Sequence, residues 1–549
     1  MRRPLLLLAA LVLAVPGCSR CSRGGGSAGP SPELARALPR DAELLVLVPD
    51  LGALGDRLAR LQQLKLASFA AQLQGAASAQ ELVGSVMFQL GADLRSRESM
   101  QAAGLDPARG AAAVWLKGGA VYAVVAVKDE KAFGKTVQAL ARDRLGAGTA
   151  SESGSGGQRV TAFSKAPGEP PALAVLFRDG LAYVARGDLA RRLPELSGVS
   201  ESAALSTEAD YQRDLKRLPR ERQVVVRIPP TSRYSRRGAM HGALVSLSLE
   251  GDGLAAFAVV PWPNTSNSVE LLRARGTAPD LFALAAPDAF LLARSLGSPS
   301  GLSPVWPELV PQWVKRAVEQ TGFDPDGKVF QNLEPGSVLS LSLAPTVNLA
   351  TGVPELDVRR TNPFGYVHLV VAGKVKDAKQ AASTLEAIPK VAQRFGAFVT
   401  PATREGQRVY LTRYAQGEGA HLALVGDQVL MASPVSRLDD AMARAREKKP
   451  AEGLAADPAF RPLFEGRPLA LAIDLRRLAE SVRRLPSSAW GVGGFAMKAT
   501  ALRWLDATSD LNAITFRTGF ADGAVESELK LRIQVPDAQG GGPAPQAPR

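Results

Sequence analysis

Val124–Leu140 reads VVAVKDEKAFGKTVQAL, and Val370–Ile388 reads VVAGKVKDAKQAASTLEAI. Each begins with a short Val-rich run and passes into apolar residues spaced three and four apart, a strand followed by an amphipathic helix. In the first stretch Phe133, Val137 and Leu140 fall on one helical face. The same short supersecondary unit, written twice far apart in one chain, points to an internal duplication, and the rest of the sequence bears on that reading.

Further pairs recur in the same order. Pro39–Leu45 (PRDAELL) is answered by Pro287–Leu292 (PDAFLL), Gly104–Pro107 (GLDP) by Gly322–Pro325 (GFDP), and Gln158-Arg159-Val160 by Gln407-Arg408-Val409. Leu173–Ala185 (LAVLFRDGLAYVA) is answered by Leu422–Ala432 (LALVGDQVLMA), and Leu205–Ile228 by Leu454–Ile473. The offset is about 247 to 249 residues throughout, except at the Gly-x-Asp-Pro element, where it is 218. A longer helical stretch in the first copy and a loop near 345–363 in the second account for the exception. Two homologous repeats are expected, over 33–276 and 277–535.

Each repeat reads as an opening strand (Leu44 to Val48 in the first) and a helical stretch, with Leu51, Leu54, Leu58, Leu61 and Leu64 on one face. Gly-x-Asp-Pro then makes a turn, because proline fixes its own φ and moves the preceding residue out of the helical region. Strands at Ala111 to Leu116 and Val121 to Val127 follow, then a helix. Next come a hairpin turning at Arg178-Asp179-Gly180 (Gly426-Asp427-Gln428 in the second repeat), a helix from Leu189 (Val435 to Ala445), and a further strand at Gln223 to Ile228 (Leu469 to Leu475). Closing hairpins turn at Gly251-Asp252-Gly253 and Asp522-Gly523. So many tight turns between successive strands predict an α+β fold, mainly antiparallel sheet with helices packed on one side.

The amino terminus has the zones of an export signal: Arg2 and Arg3, an uncharged apolar run from Leu5 to Val15, then Val15-Pro16-Gly17-Cys18. The run is too short to cross a bilayer, which takes about 20 apolar residues. The junction resembles the lipobox of bacterial lipoproteins. That resemblance implies a signal peptide at 1–17, cleavage after Gly17 and acyl chains on Cys18, because two or more chains anchor stably where one does not. Ser19 resembles the sorting position of outer-membrane lipoproteins, which places the protein in the cell envelope, lipid-anchored, at the outer membrane facing the periplasm or the cell surface. Residues 18–32, rich in Gly, Ser and Pro, form a flexible tether, and 536–549 a disordered tail.

Cys18 and Cys21 are the two cysteines of the chain. Their C-x-x-C spacing imitates a redox pair, but a lipidated Cys18 is unavailable for a disulfide. The body therefore coheres by packing alone. The formal charge is +13, with basic residues scattered along helical faces such as Arg476-Arg477, Arg483-Arg484 and Arg444 to Lys449. No nucleic-acid-binding signature accompanies them, so no nucleic-acid partner is expected. The Pro-x-Asp opening strand, the Gly-x-Asp-Pro turn and the repeated strand–hairpin–helix blocks across 38–535 resemble bacterial envelope proteins grouped under a domain of unknown function.

Chemistry is sparse. Gly322–Val329 (GFDPDGKV) has the Gly and Lys spacing of a phosphate loop, but Val329 stands where magnesium needs a hydroxyl and Asp324 and Asp326 repel phosphate. Asp324-x-Asp326-Gly327 lacks the glutamate of a calcium loop at its proper distance, since Glu334 comes ten residues after Asp324. His241, His368 and His421 have no second ligand at metal spacing, and no nucleophile elbow is present. No cofactor, metal or catalytic residue is assigned. The reading is a non-enzymatic scaffold or binding protein, with a lipidic ligand or another envelope protein as partner. A surface-anchored hydrolase using a carboxylate pair is the alternative.

Overall fold

The computed structural model describes residues 32–90, 92–155, 158–237, 242–250, 253–263, 267–273, 281–303, 312–345, 363–415, 417–490 and 494–533. The leader, Cys18, Cys21, almost all of the tether, His241 and the tail at 536–549 lie outside them. The fold is mixed α+β, built on antiparallel sheet, and divides into two compact units. The described parts of the first lie within Met1–Pro261, Ala507–Leu511 and Leu531–Arg549; those of the second lie within Trp262–Asp506 and Asn512–Lys530.

In the first unit the strands are β1 (Leu44–Val48), β2 (Ala111–Trp115), β3 (Val121–Ala126), β4 (Thr149–Ser155), β5 (Gln158–Ser164), β6 (Leu173–Arg178), β7 (Leu181–Arg186), β8 (Val224–Ile228), β9 (Ala243–Glu250) and β10 (Gly253–Pro261). They pair antiparallel in the order β10–β9–β8–β1–β2–β3–β7–β6–β5–β4. The expected hairpin turn is present: Asp179 and Gly180 have φ of 53° and 70°, the left-handed pair that a two-residue turn of matching twist needs. β4 (TASESGS) carries no large apolar residue and, among the described residues, pairs only with β5.

Four helices follow β1: α1 (Leu51–Leu61), α2 (Lys65–Leu73), α3 (Ala79–Leu90) and α4 (Arg97–Ala102). Asp50 starts α1, its Oδ1 accepting the Ala53 N–H at 2.7 Å. Leu51, Leu58 and Leu61 are buried along the predicted stripe, and Leu64 stands just before α2. Gly55 is obligatory in α1, because a Cβ there would lie 1.8 Å from the Leu94 carbonyl oxygen. Helix α5 (Glu130–Leu145) lies on the same side of the sheet, joined to β6 through Phe133 against Phe177 at 6.3 Å.

The expectation of helices on one side needs correction here, since the opposite sheet face is buried as well. Leu45, Leu47, Val114, Tyr122, Val124, Ala174, Leu176 and Tyr183 alternate away from α5 and are all buried. Their burial goes with that of Leu34, Leu193 and Leu205 in short helical segments and of Leu38 in the adjoining bend, where Pro39 bridges to Ala204. The helix expected from Leu189 is a 3-10 stretch, Gly187–Arg192, followed by the single turn Leu193–Leu196. Pro194 breaks the run, having no N–H to continue it.

The second unit has β11 (Leu291–Ser295), β12 (Leu333–Leu343), β13 (Val367–Val375), β14 (Ala397–Arg404), β15 (Gln407–Tyr414), β16 (Gly417–Glu418), β17 (His421–Val425), β18 (Gln428–Ser433), β19 (Leu469–Asp474) and β20 (Leu511–Ala521). Their order is β20–β19–β11–β12–β13–β18–β17–β15–β14, with β16 on β15. Helices α6 (Ala378–Gln393) and α7 (Val435–Glu447) accompany it. Its core gathers Leu292, Val370, Leu430, Leu438, Met442 and Phe460.

Candidate functional site

The first unit contains a half-open cavity of about 450 Å³ between the α1/α5 side of its sheet and the helices above. Its floor follows from strand register. Val46, Ala113, Ala123 and Val184 are cross-strand neighbours on β1, β2, β3 and β7, and Val48, Ala111, Val125 and Ala182 form the adjacent row. Successive residues of a strand alternate faces, so these two rows lie on one side while fully buried Leu47, Val114 and Val124 lie on the other. The centre of the floor is made of alanines, too small to reach the helices. Leu51, Leu54 and Leu58 of α1, Met87 of α3, Leu94, and Phe133, Val137 and Leu140 of α5 form the opposite wall.

No ionisable side chain belongs to this lining. Of its polar members, Thr136 donates to the Ala103 and Ala132 carbonyls at 3.3 and 3.2 Å, and Gln223 Oε1 accepts the Leu249 N–H at 2.6 Å. With Ser248, these are the three polar side chains of a lining otherwise apolar and suited to hydrocarbon. Protein interiors hold few voids larger than a water.

The residues weighed for chemistry are dispersed. His421 is a satisfied core residue on β17: its Nδ1 accepts the Thr412 N–H at 3.0 Å, so Nε2 carries the proton and donates to Glu418 Oε1 at 2.7 Å. Glu418 Oε1 also accepts the Val435 N–H. His368 stands on β13 opposite Ser342, with its Nδ1 unpartnered. Burial holds its pKa below the ordinary imidazole value, helped by the nearby Arg437 charge, while Asp288 and Glu418 act the other way.

Of Gly322 to Val329 only the start is the expected turn; Asp326–Phe330 is a short π-helical turn capped by Pro325. Gly322 has φ of 65°, the Lys328 N–H returns to the Asp324 carbonyl at 3.1 Å, and the Lys328 ammonium sits 5.7 Å over the Phe323 ring. Among the described residues no cluster of three or more His, Cys, Asp or Glu is placed to hold a metal ion. Buried carboxylates have structural partners: Asp474 accepts the N–H groups of Arg476 and Arg477, and Asp214 pairs with Arg213. Cys18 lies outside the described residues. No described helix is long and apolar enough to cross a membrane.

Sequence reasoning did not find the cavity. The available signal was Ala111–Ala113 within AAAVW, since alanine is depleted in strands and three in succession remove side-chain volume from a sheet centre.

No protein-family profile matches the sequence. No curated protein matches it either. Among solved structures, two crystal forms of TP0453 are distantly similar, each with 9% identity and a TM-score of 0.24. The match to form I covers 48% of this chain and 81% of that one, and to form IV 46% and 81%.

Proposed function

We propose that the protein is a non-enzymatic envelope lipoprotein, anchored through acyl chains on Cys18, whose first unit holds an alkyl-chain ligand in its apolar cavity. The observation that carries this reading is the cavity itself. About 450 Å³ falls within the ~300–1,000 Å³ of small-molecule sites, and its lining is apolar but for Thr136, Gln223 and Ser248. A lipidic ligand also suits a body tethered at a membrane surface. The two units are homologous repeats in this reading. Six matched sequence blocks and a common strand order support it, as do Asp129 and Asp377, which cap α5 and α6 through the same bonds to the second and third N–H groups.

Two measurements test the proposal. Detergent phase partitioning should carry the wild-type chain into the detergent phase and leave Cys18→Ser in the aqueous phase; equal partitioning removes the anchor. Titration of the chain from Ser19 onward with tetradecanol should show saturable binding, and no binding removes the cavity reading.

A further inference from the structure

The cavity-facing stripes of two elements continue past the apolar wall into charge, and a third cation stands beside them. On α5 the stripe runs Phe133, Val137, Leu140, and its next position, four residues on, is Arg144. On β7 Val184 lines the cavity, and Arg186, two residues later, shares its face. Arg186 is the cross-strand partner of Leu173, which also lines the cavity. Leu173 is flanked on its other side by Phe163 of β5, and Lys165 stands one residue past the end of that strand.

Arg144, Lys165 and Arg186 come together with Leu145, Ala172 and Gly187 around a shallow, open depression of the surface. All three cations are exposed, and Arg144 also interacts with the neighbouring Asp143 charge. The step from lining to charge is roughly 6 Å along the helix and ~6.7 Å along a strand, the scale of one headgroup beside one chain.

We propose that the ligand is a single-chain amphiphile with an anionic headgroup, its alkyl chain in the apolar cavity and its headgroup at Arg144, Lys165 and Arg186. This rests on the cavity being a ligand site. Charge complementarity selects the occupant, because carboxylate or phosphate oxygens accept charge-assisted bonds from guanidinium and ammonium groups. A neutral chain gains nothing there.

The test uses the chain from Ser19 onward, which keeps every described residue, titrated calorimetrically with tetradecanoate and with tetradecanol below their aggregation limits. Tetradecanoate should bind about tenfold or more tightly, the preference weakening as salt rises. The variant Arg144→Gln/Lys165→Gln/Arg186→Gln, altered only at exposed positions, should bring tetradecanoate to the level of tetradecanol and leave tetradecanol unchanged. Equal binding of the two by the wild-type chain overturns the headgroup site while the cavity reading stands. Binding of neither overturns both.

Discussion

Asp510 caps a helix that begins at Lys65: its Oδ2 accepts the Lys65 backbone N–H at 2.6 Å across 445 residues of sequence. Leu64, at the local cap position, offers no side-chain acceptor, so α2 borrows one from the far end of the chain. Leu511, Leu531 and Ile533 join the same neighbourhood, packing with Leu58, Leu61, Leu64 and Met87. Asp510→Ala is expected to cost about 1 kcal/mol, in the range of lost caps, and to lower Tm by roughly 2–4 °C for a unit of this size. Asp510→Asn, which keeps an acceptor, should lose less. An unchanged Tm for the alanine variant would show that water replaces the cap.

Ala113 and Val114 are adjacent in sequence yet face opposite sides of the sheet. Ala113→Leu adds three carbons into the cavity, gaining up to about 2 kcal/mol of burial while weakening tetradecanol binding tenfold or more. Val114→Phe enlarges a residue on the fully packed face and should cost about 1–3 kcal/mol with tetradecanol binding retained. Thermal melts and titration of both variants check the pair; binding by Ala113→Leu equal to wild type would place the ligand elsewhere.

Arg227, buried on β8, is paired with Glu208 and donates to the Arg40 carbonyl at 2.9 Å. Removing the carboxylate alone strands a buried guanidinium, so Glu208→Gln should destabilise by about 3–5 kcal/mol. The double variant Glu208→Leu/Arg227→Met should recover most of that loss, because hydrophobic replacement of a buried pair is often neutral. Denaturant unfolding of the single and double variants measures the difference, and a mild single variant would mean that water reaches Arg227.

His368 should make stability fall on acidification. Its folded pKa lies below the ordinary 6.5, so the unfolded chain binds a proton more readily than the folded one. The contribution is fully present above that ordinary value and is lost as pH falls through the lower folded value. His368→Gln should flatten the Tm profile over this window. A profile that His368→Gln leaves unaltered would assign the acid sensitivity to other groups.

Local structure was legible where one residue decides it. Asp179-Gly180 announced its hairpin, and the three-and-four spacing of Phe133, Val137 and Leu140 announced α5. Polar β4 gave no alternation to read, since TASESGS has no apolar face. The 3-10 stretch at Gly187–Arg192 was lost to an apolar spacing that Pro194 interrupts. The cavity was hidden for a different reason. It is a deficit of volume at Ala111, Ala113 and Ala123, visible only once register places them side by side. Asp510 was hidden by distance, as no local pattern links it to Lys65.

The polar border at β4 has a consequence for crowding. Unpaired strand edges are templates for sheet-to-sheet growth, and bordering strands without hydrophobic side chains resist it. In the proposed anchored form, molecules tethered to one surface would meet at high local density and in similar orientation, the circumstance that most favours such growth. Thr149–Ser155, flexible in composition and carrying Glu152 with four hydroxyls, makes that margin poor glue, so a dense carpet of copies can stay a population of separate molecules.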